Sequence, residues 1–102
     1  MRLWIAALSV SVVSLMGAQV PRPAPEYAIQ LPSGQQDLLS KHKGKVVMLA
    51  FILTTCPHCQ EAAKIVSKVN AQYGPKGFQP LMVAINPEGD VNAFVRQYQV
   101  NF

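Results

Sequence analysis

Cysteine is scarce in this chain: two occur in 102 residues, both within the run Thr54-Thr55-Cys56-Pro57-His58-Cys59. That excludes a framework of several disulfides holding together a small domain. Histidine is equally sparse at two, so a four-ligand structural zinc site would need both, and His58 is expected to point away from the sulfurs. Covalent c-type haem attachment requires His directly after the second cysteine, where this chain has Gln60. Acidic charge is low: five acidic residues against nine basic leave a formal +4, spread thinly, so nucleic acid is not an expected partner. A long hydrophobic span is lacking too, since the run from Leu3 to Met16 falls short of the roughly 20 residues that cross a bilayer.

That run follows Arg2 and precedes the small residues Gly17 and Ala18, the pattern of a secretory signal peptide over residues 1–18. Pro21, Pro23 and Pro25 follow at once, so residues 19–26 read as a proline-rich linker, and no helix is expected to run through them. Contact with a membrane is expected only if the N-terminal segment stays uncleaved. Export would place the cysteines in an oxidising, periplasmic or otherwise extracytoplasmic compartment, where a pair can persist as a disulfide.

Residues 27–102 carry a single domain. Tyr27 to Leu31 alternates loosely and is turned by Pro32-Ser33-Gly34, giving a short edge strand or extended arm. The basic turn Lys41-His42-Lys43-Gly44-Lys45 reads as a solvated loop, and His42 has no evident catalytic partner. Val46 to Leu53 is apolar at every position, which predicts a strand buried on both faces. Ala62, Val66, Val69 and Tyr73 then recur at helical spacing, with Gln60, Glu61, Lys64, Ser67 and Lys68 facing away, and Gly74-Pro75 stops the helix. A second strand is predicted from Phe78 to Ile85, followed by a turn at Asn86-Pro87-Glu88-Gly89. Asp90 caps another helix through Val91, Phe94, Val95 and Tyr98. The order strand, helix, strand, helix implies parallel strands and a layered α/β fold. Val100-Asn101-Phe102 carries no terminating signal, so the sequence reads as part of a longer chain.

The spacing of the two cysteines has a chemical meaning. Proline is favoured at the first helical position, so Pro57 makes Cys56 the N-cap and puts Cys59 in the first turn. A thiolate at the N-cap meets free backbone N–H groups and the positive end of the helix dipole, and protonated His58 would add to that field. Cys56 is therefore the expected nucleophile, Cys59 the resolving thiol, and Pro57 and His58 the residues that tune the couple. Residues three apart on a helix have Cβ atoms about 5–6 Å apart, within disulfide reach after modest adjustment. A purely static disulfide is disfavoured, because so short a loop constrains the unfolded chain little.

Gly44-Lys45-Val46-Val47 leading into a hydrophobic strand, then Cys56-Pro57-His58-Cys59 opening a helix, resembles the thioredoxin superfamily. The likeness is to its exported thiol-disulfide oxidoreductases, related to the AhpC/TSA redoxin group. It covers Tyr27 to Phe102 and implies a three-layer α/β/α thioredoxin-like fold. It also implies no cofactor beyond the redox-active Cys56-Cys59 disulfide, with protein thiols and disulfides and a redox partner protein as partners. The Pro-His dipeptide is similar to that of oxidising periplasmic enzymes, and the flanking pattern to membrane-tethered reductases of cytochrome maturation.

Three departures stand out. Thr55 replaces the tryptophan that often precedes the first cysteine, making Thr55 a candidate substrate contact. The family's cis-proline loop would lie beyond Phe102, since Pro80 and Pro87 come too early. Leu53 stands where the peroxide-reducing relatives have a threonine, which weighs against a peroxidase, the first alternative. A non-enzymatic copper(I)-binding or redox-sensing module is the second.

Overall fold

The computed structural model describes residues 20–102, so the segment read as a signal peptide lies outside the described residues. The first elements form a hairpin: β1 (Ala28–Gln30) pairs antiparallel with β2 (Gln36–Leu38), Ile29 opposite Asp37. Its turn closes through Leu31 N–H donating to Gln35 O at 2.8 Å and Gly34 N–H donating to Leu31 O at 2.9 Å. The arm predicted at Tyr27 is thus one side of a hairpin whose second strand carries too few apolar residues to show an alternating pattern.

A short 3-10 turn (Leu39–His42) leads to β3 (Val46–Ile52), which pairs in parallel with β4 (Phe78–Ala84), Val46 opposite Phe78 and Ile52 opposite Ala84. Parallel neighbours need a crossover. Helix α1 (Pro57–Tyr73) supplies it and ends where Gly74-Pro75 was expected to stop it. The chain then turns through Gly77 at φ +99°, a left-handed value suited to glycine, and its carbonyl accepts from Val46 N–H at 2.8 Å. At the other end of the sheet Ile85 N–H donates to Ile52 O at 2.9 Å. The segments that follow β3 and β4 therefore emerge side by side at the C-terminal edge of the sheet, where ligands bind in open α/β folds.

Helix α2 (Val91–Tyr98) starts at Asp90, whose carboxylate accepts from Ala93 N–H at 2.9 Å. It ends at Gln99 in the left-handed region, φ +53°. Ile52, Ala63 and Phe94 make the buried core, with Cys59, Met82, Ala84, Tyr98 and Val100 packed against it. The C-terminal tail is tied to α1 by Asn101, which donates to Ser67 O at 2.9 Å and receives Asn70 Nδ2 on its own side-chain oxygen at 3.1 Å.

Two expectations about burial are corrected. On α1 the innermost residues are Ala63, 0 % exposed, and Ser67, while Val69 and Tyr73 face solvent. The periodicity counted apolar side chains, but the stripe Cys59, Ala63, Ser67 is small, and small residues permit the closest approach of helix to sheet. Ser67, expected to face away, is buried, and among the described residues its hydroxyl has no partner. Strand β3 is not enclosed on both faces: Phe51 is 54 % exposed and Val46 72 %. Among the described residues β3 has one strand neighbour, β4, and Tyr27 alone stacks edge-on against Phe51 at 5.8 Å.

Candidate active site

Strand β3 ends at Ile52, and Leu53 to Cys56 make a tight turn in which Cys56 N–H donates to Leu53 O at 3.2 Å. Cys56, in the extended region at φ −82°, ψ 119°, is the N-cap of α1, with Pro57 opening the helix. Its carbonyl accepts the first helical bond, from Gln60 N–H, at 3.1 Å. The register expected from Pro57 is the register found. Cys56 and Cys59 are both partly buried free thiols; Cys59 packs against the core.

No N–H makes a full hydrogen bond to the Cys56 side chain in the manner of an oxygen cap. The sulfur nevertheless lies where the Cys59 backbone N–H, then the Cys59 thiol, then the His58 backbone N–H favour the anion. Together these hold the Cys56 thiol below the ordinary thiol range against the opposing effect of desolvation. The His58 ring is exposed, and its backbone N–H is among the groups that favour the Cys56 anion. Thr55 is exposed and lines a cleft of about 430 Å³ with Thr54, Gln60, Gln97 and Tyr98.

The sequence reading missed the residues that hold this turn. Asn86, 8 % exposed, accepts from Thr54 N–H at 3.0 Å and donates to Thr54 Oγ1 at 2.8 Å. Gln60, expected to face solvent, donates to Thr54 O at 3.1 Å. A side chain at Gly89 would come within 2.6 Å of both Asn86 Nδ2 and Thr54 Oγ1, so glycine there lets the loop close over the pair. The only local signal was a buried-strand exit followed by Asn-Pro, which reads as a turn and nothing more.

His42 also departs from expectation. Its Nε2 lies 2.8 Å from Asp37 Oδ2, and the pair is largely sheltered on the edge of a cleft of about 720 Å³. The partner comes from β2, the strand the sequence did not reveal. No group of three or more His, Cys, Asp or Glu side chains among the described residues is placed to hold a metal ion.

A pair of cysteines opening a helix straight after a parallel strand, with Cys59 packed on the core, defines a thioredoxin-like redoxin. The chain belongs to the AhpC/TSA family, whose profile matches residues 20–102. Among solved structures it is similar to a protein from Chlorobium tepidum provisionally named thiol:disulfide interchange protein DsbE, at 31 % identity and a TM-score of 0.68. That match covers 78 % of this chain and 56 % of the other. A provisionally assigned thioredoxin from Neisseria meningitidis matches at 30 % identity and a TM-score of 0.64, covering 78 % and 54 %. A thioredoxin-family thiol:disulfide interchange protein from Chlorobium tepidum TLS shares the fold at a TM-score of 0.71 and 22 % identity, covering 84 % and 60 %. No curated protein matches. The chain thus spans little more than half the length of these structures, and its fold is thioredoxin-like α/β.

Proposed function

We propose that this protein is a thiol-disulfide oxidoreductase acting on protein thiols and disulfides in an exported compartment, with Cys56 as nucleophile and Cys59 as resolving thiol. The observation that carries the reading is the position of Cys56 as the N-cap of α1, its thiol held low by the first-turn amides, with Cys59 one helical turn on. Its membership in a redox family and its likeness to thiol:disulfide interchange proteins support the same chemistry.

In the reducing direction the Cys56 thiolate attacks one sulfur of a substrate disulfide. The S–S bond breaks, one substrate thiolate leaves, and a mixed disulfide forms. Cys59, deprotonated, then attacks the Cys56 sulfur, expels the second substrate thiolate and closes the Cys56-Cys59 disulfide. Two electrons have passed to the substrate, whose thiolates take up the protons; a dithiol partner protein restores the reduced pair. Run backwards, the same steps donate a disulfide. Pro57 fixes the helix start, the His58 amide tunes the couple, and Thr55 borders the cleft where substrate backbone would lie. No cofactor is needed beyond the dithiol.

Peroxide reduction is less well supported. Leu53, three residues before Cys56, cannot hydrogen-bond a peroxide, and Thr54 and Thr55 are out of register with that position. Export rests on residues 1–18, read from the sequence.

The test is substrate trapping with the full-length gene product. Cys59→Ser should accumulate mixed disulfides through Cys56 that dithiothreitol releases, and Cys56→Ser should trap none; equal trapping by both would overturn the assignment. Equilibration with glutathione then sets the direction: a potential near about −120 mV marks a disulfide donor, one near about −270 mV a reductase.

A further inference from the structure

The groups that hold the turn before Cys56 come from outside it. Thr54 has three backbone and side-chain polar groups, and all are engaged by side chains of other elements. Asn86, in the loop after β4, takes the N–H at 3.0 Å and gives to the hydroxyl at 2.8 Å. Gln60, in the first turn of α1, gives to the carbonyl at 3.1 Å. A carboxamide that both accepts from and donates to one residue fixes it in orientation as well as position, because the two bonds cannot both survive a rotation. Burial of Asn86 strengthens the constraint, since water does not readily replace either partner. Gly89 completes the arrangement: its N–H donates to Asn86 O at 3.0 Å, and a Cβ there would strike both clamped side chains.

We propose that Asn86 is a positioning residue of the dithiol site, clamping Thr54 so that the turn from Leu53 to Cys56 presents the Cys56 sulfur at the start of α1. Thr54 lies two residues before Cys56, and Gln60 lies one residue after Cys59. The clamp therefore ties the loop after β4, 32 positions away in sequence, to the short stretch that joins the exit of β3 to the first turn of α1. Without Asn86 the turn keeps its local bonds, Cys56 N–H to Leu53 O at 3.2 Å and those from Gln60 to Cys56 O and Thr54 O at 3.1 Å, and loses its tie to the loop after β4. The sulfur would then sample positions away from the Cys59 and His58 amides, and its thiolate would lose their support. Asn86 itself touches neither sulfur nor substrate.

This inference rests on the reading that Cys56 is the attacking thiol, and the experiment separates the two. The full-length chain is reduced, alkylated with iodoacetamide from pH 5 to 10, and Cys56 labelling is followed by mass spectrometry. Thr54→Val, which keeps the shape and removes the hydroxyl, and Asn86→Ala should shift the Cys56 profile toward alkaline pH. A shift of one unit slows labelling about tenfold on the acid side. Thr54→Ser, which restores the hydroxyl, should react within about twofold of the wild type. Asn101→Ala, which removes the side-chain bonds of Asn101 to Ser67 O and Asn70 Nδ2, should lower the melting temperature and leave the profile in place.

A folded Thr54→Val with an unmoved profile overturns the clamp, as does an Asn101→Ala shift equal to that of Asn86→Ala. Should Asn86→Ala not fold, the Thr54 pair decides alone. A wild-type protein that shows the low thiol profile and the variant shifts, yet exchanges no protein disulfides, retires the proposed function and leaves the clamp standing.

Discussion

The two α-helices among the described residues begin in the same way and are capped differently. At α2 the N-cap is Asp90, whose carboxylate accepts from Ala93 N–H at 2.9 Å. At α1 the N-cap is Cys56, and no side-chain bond of that kind forms. Asp90 satisfies an orphan amide and stabilises the helix. Cys56 leaves its first-turn amides unsatisfied by a strong acceptor, so they remain available to a thiolate, which is the better acceptor when it forms. The electrostatics are shared; at Asp90 they stabilise the helix, and at Cys56 they favour the thiolate on which the proposed exchange depends.

The sharpest way to break that contrast is to make the two starts alike. Cys56→Ser installs a good oxygen cap, so disulfide exchange with insulin should fall by at least about 10³-fold, as on loss of a nucleophile. The melting temperature should hold or rise, because serine is a preferred N-cap. A variant that stays active would show that Cys56 is not the attacking thiol.

A smaller perturbation probes which amides matter. His58→Pro removes both the ring and the N–H that helps hold the Cys56 thiol low. Losing that support destabilises the thiolate and hence the reduced state, so the potential should drop by about 30 mV or more, a tenfold change in equilibrium. His58→Ala removes the ring alone and should shift it less. Equal shifts in the two variants would assign the effect to the imidazole instead.

At the other helix the expectation is reversed. Asp90→Ala should cost about 1 kcal/mol in urea unfolding. The alkylation rate of Cys56 should be unaffected, since the carboxylate serves α2 alone.

The slightest effect is a pH dependence of stability in the reduced protein. Because the folded Cys56 thiol is lowered, its contribution is fully present above the unfolded thiol pKa and is lost as pH falls through the folded one. Unfolding curves of reduced protein should therefore show stability rising over the alkaline range relative to Cys56→Ser. A parallel pair of curves would mean that the sulfur gains nothing from the helix start.

Much of this is legible in the sequence alone. Pro57 after Cys56 set the helix register, Asp90 announced α2, Gly74-Pro75 closed α1, and the apolar run from Val46 announced β3. These signals are local: each depends on residues within a turn or a strand of one another. The inward face of α1 was less legible, because apolar content and closeness of packing disagree where Ala63 and Ser67 lie innermost. The partner of His42 was hidden in β2, a strand too short and polar to show a period.

The sequence by itself determined the dithiol, its spacing on a helix start, and the alternation of strand and helix, because covalent order and backbone sterics fix those within a few residues. Only the tertiary structure decided what surrounds the dithiol. Parallel pairing of β3 with β4 brings the two strand exits together, and that alone places Asn86 on Thr54 across 32 positions of sequence. A hydrogen bond between residues so far apart leaves no trace in local pattern, since either side chain would suit an ordinary turn.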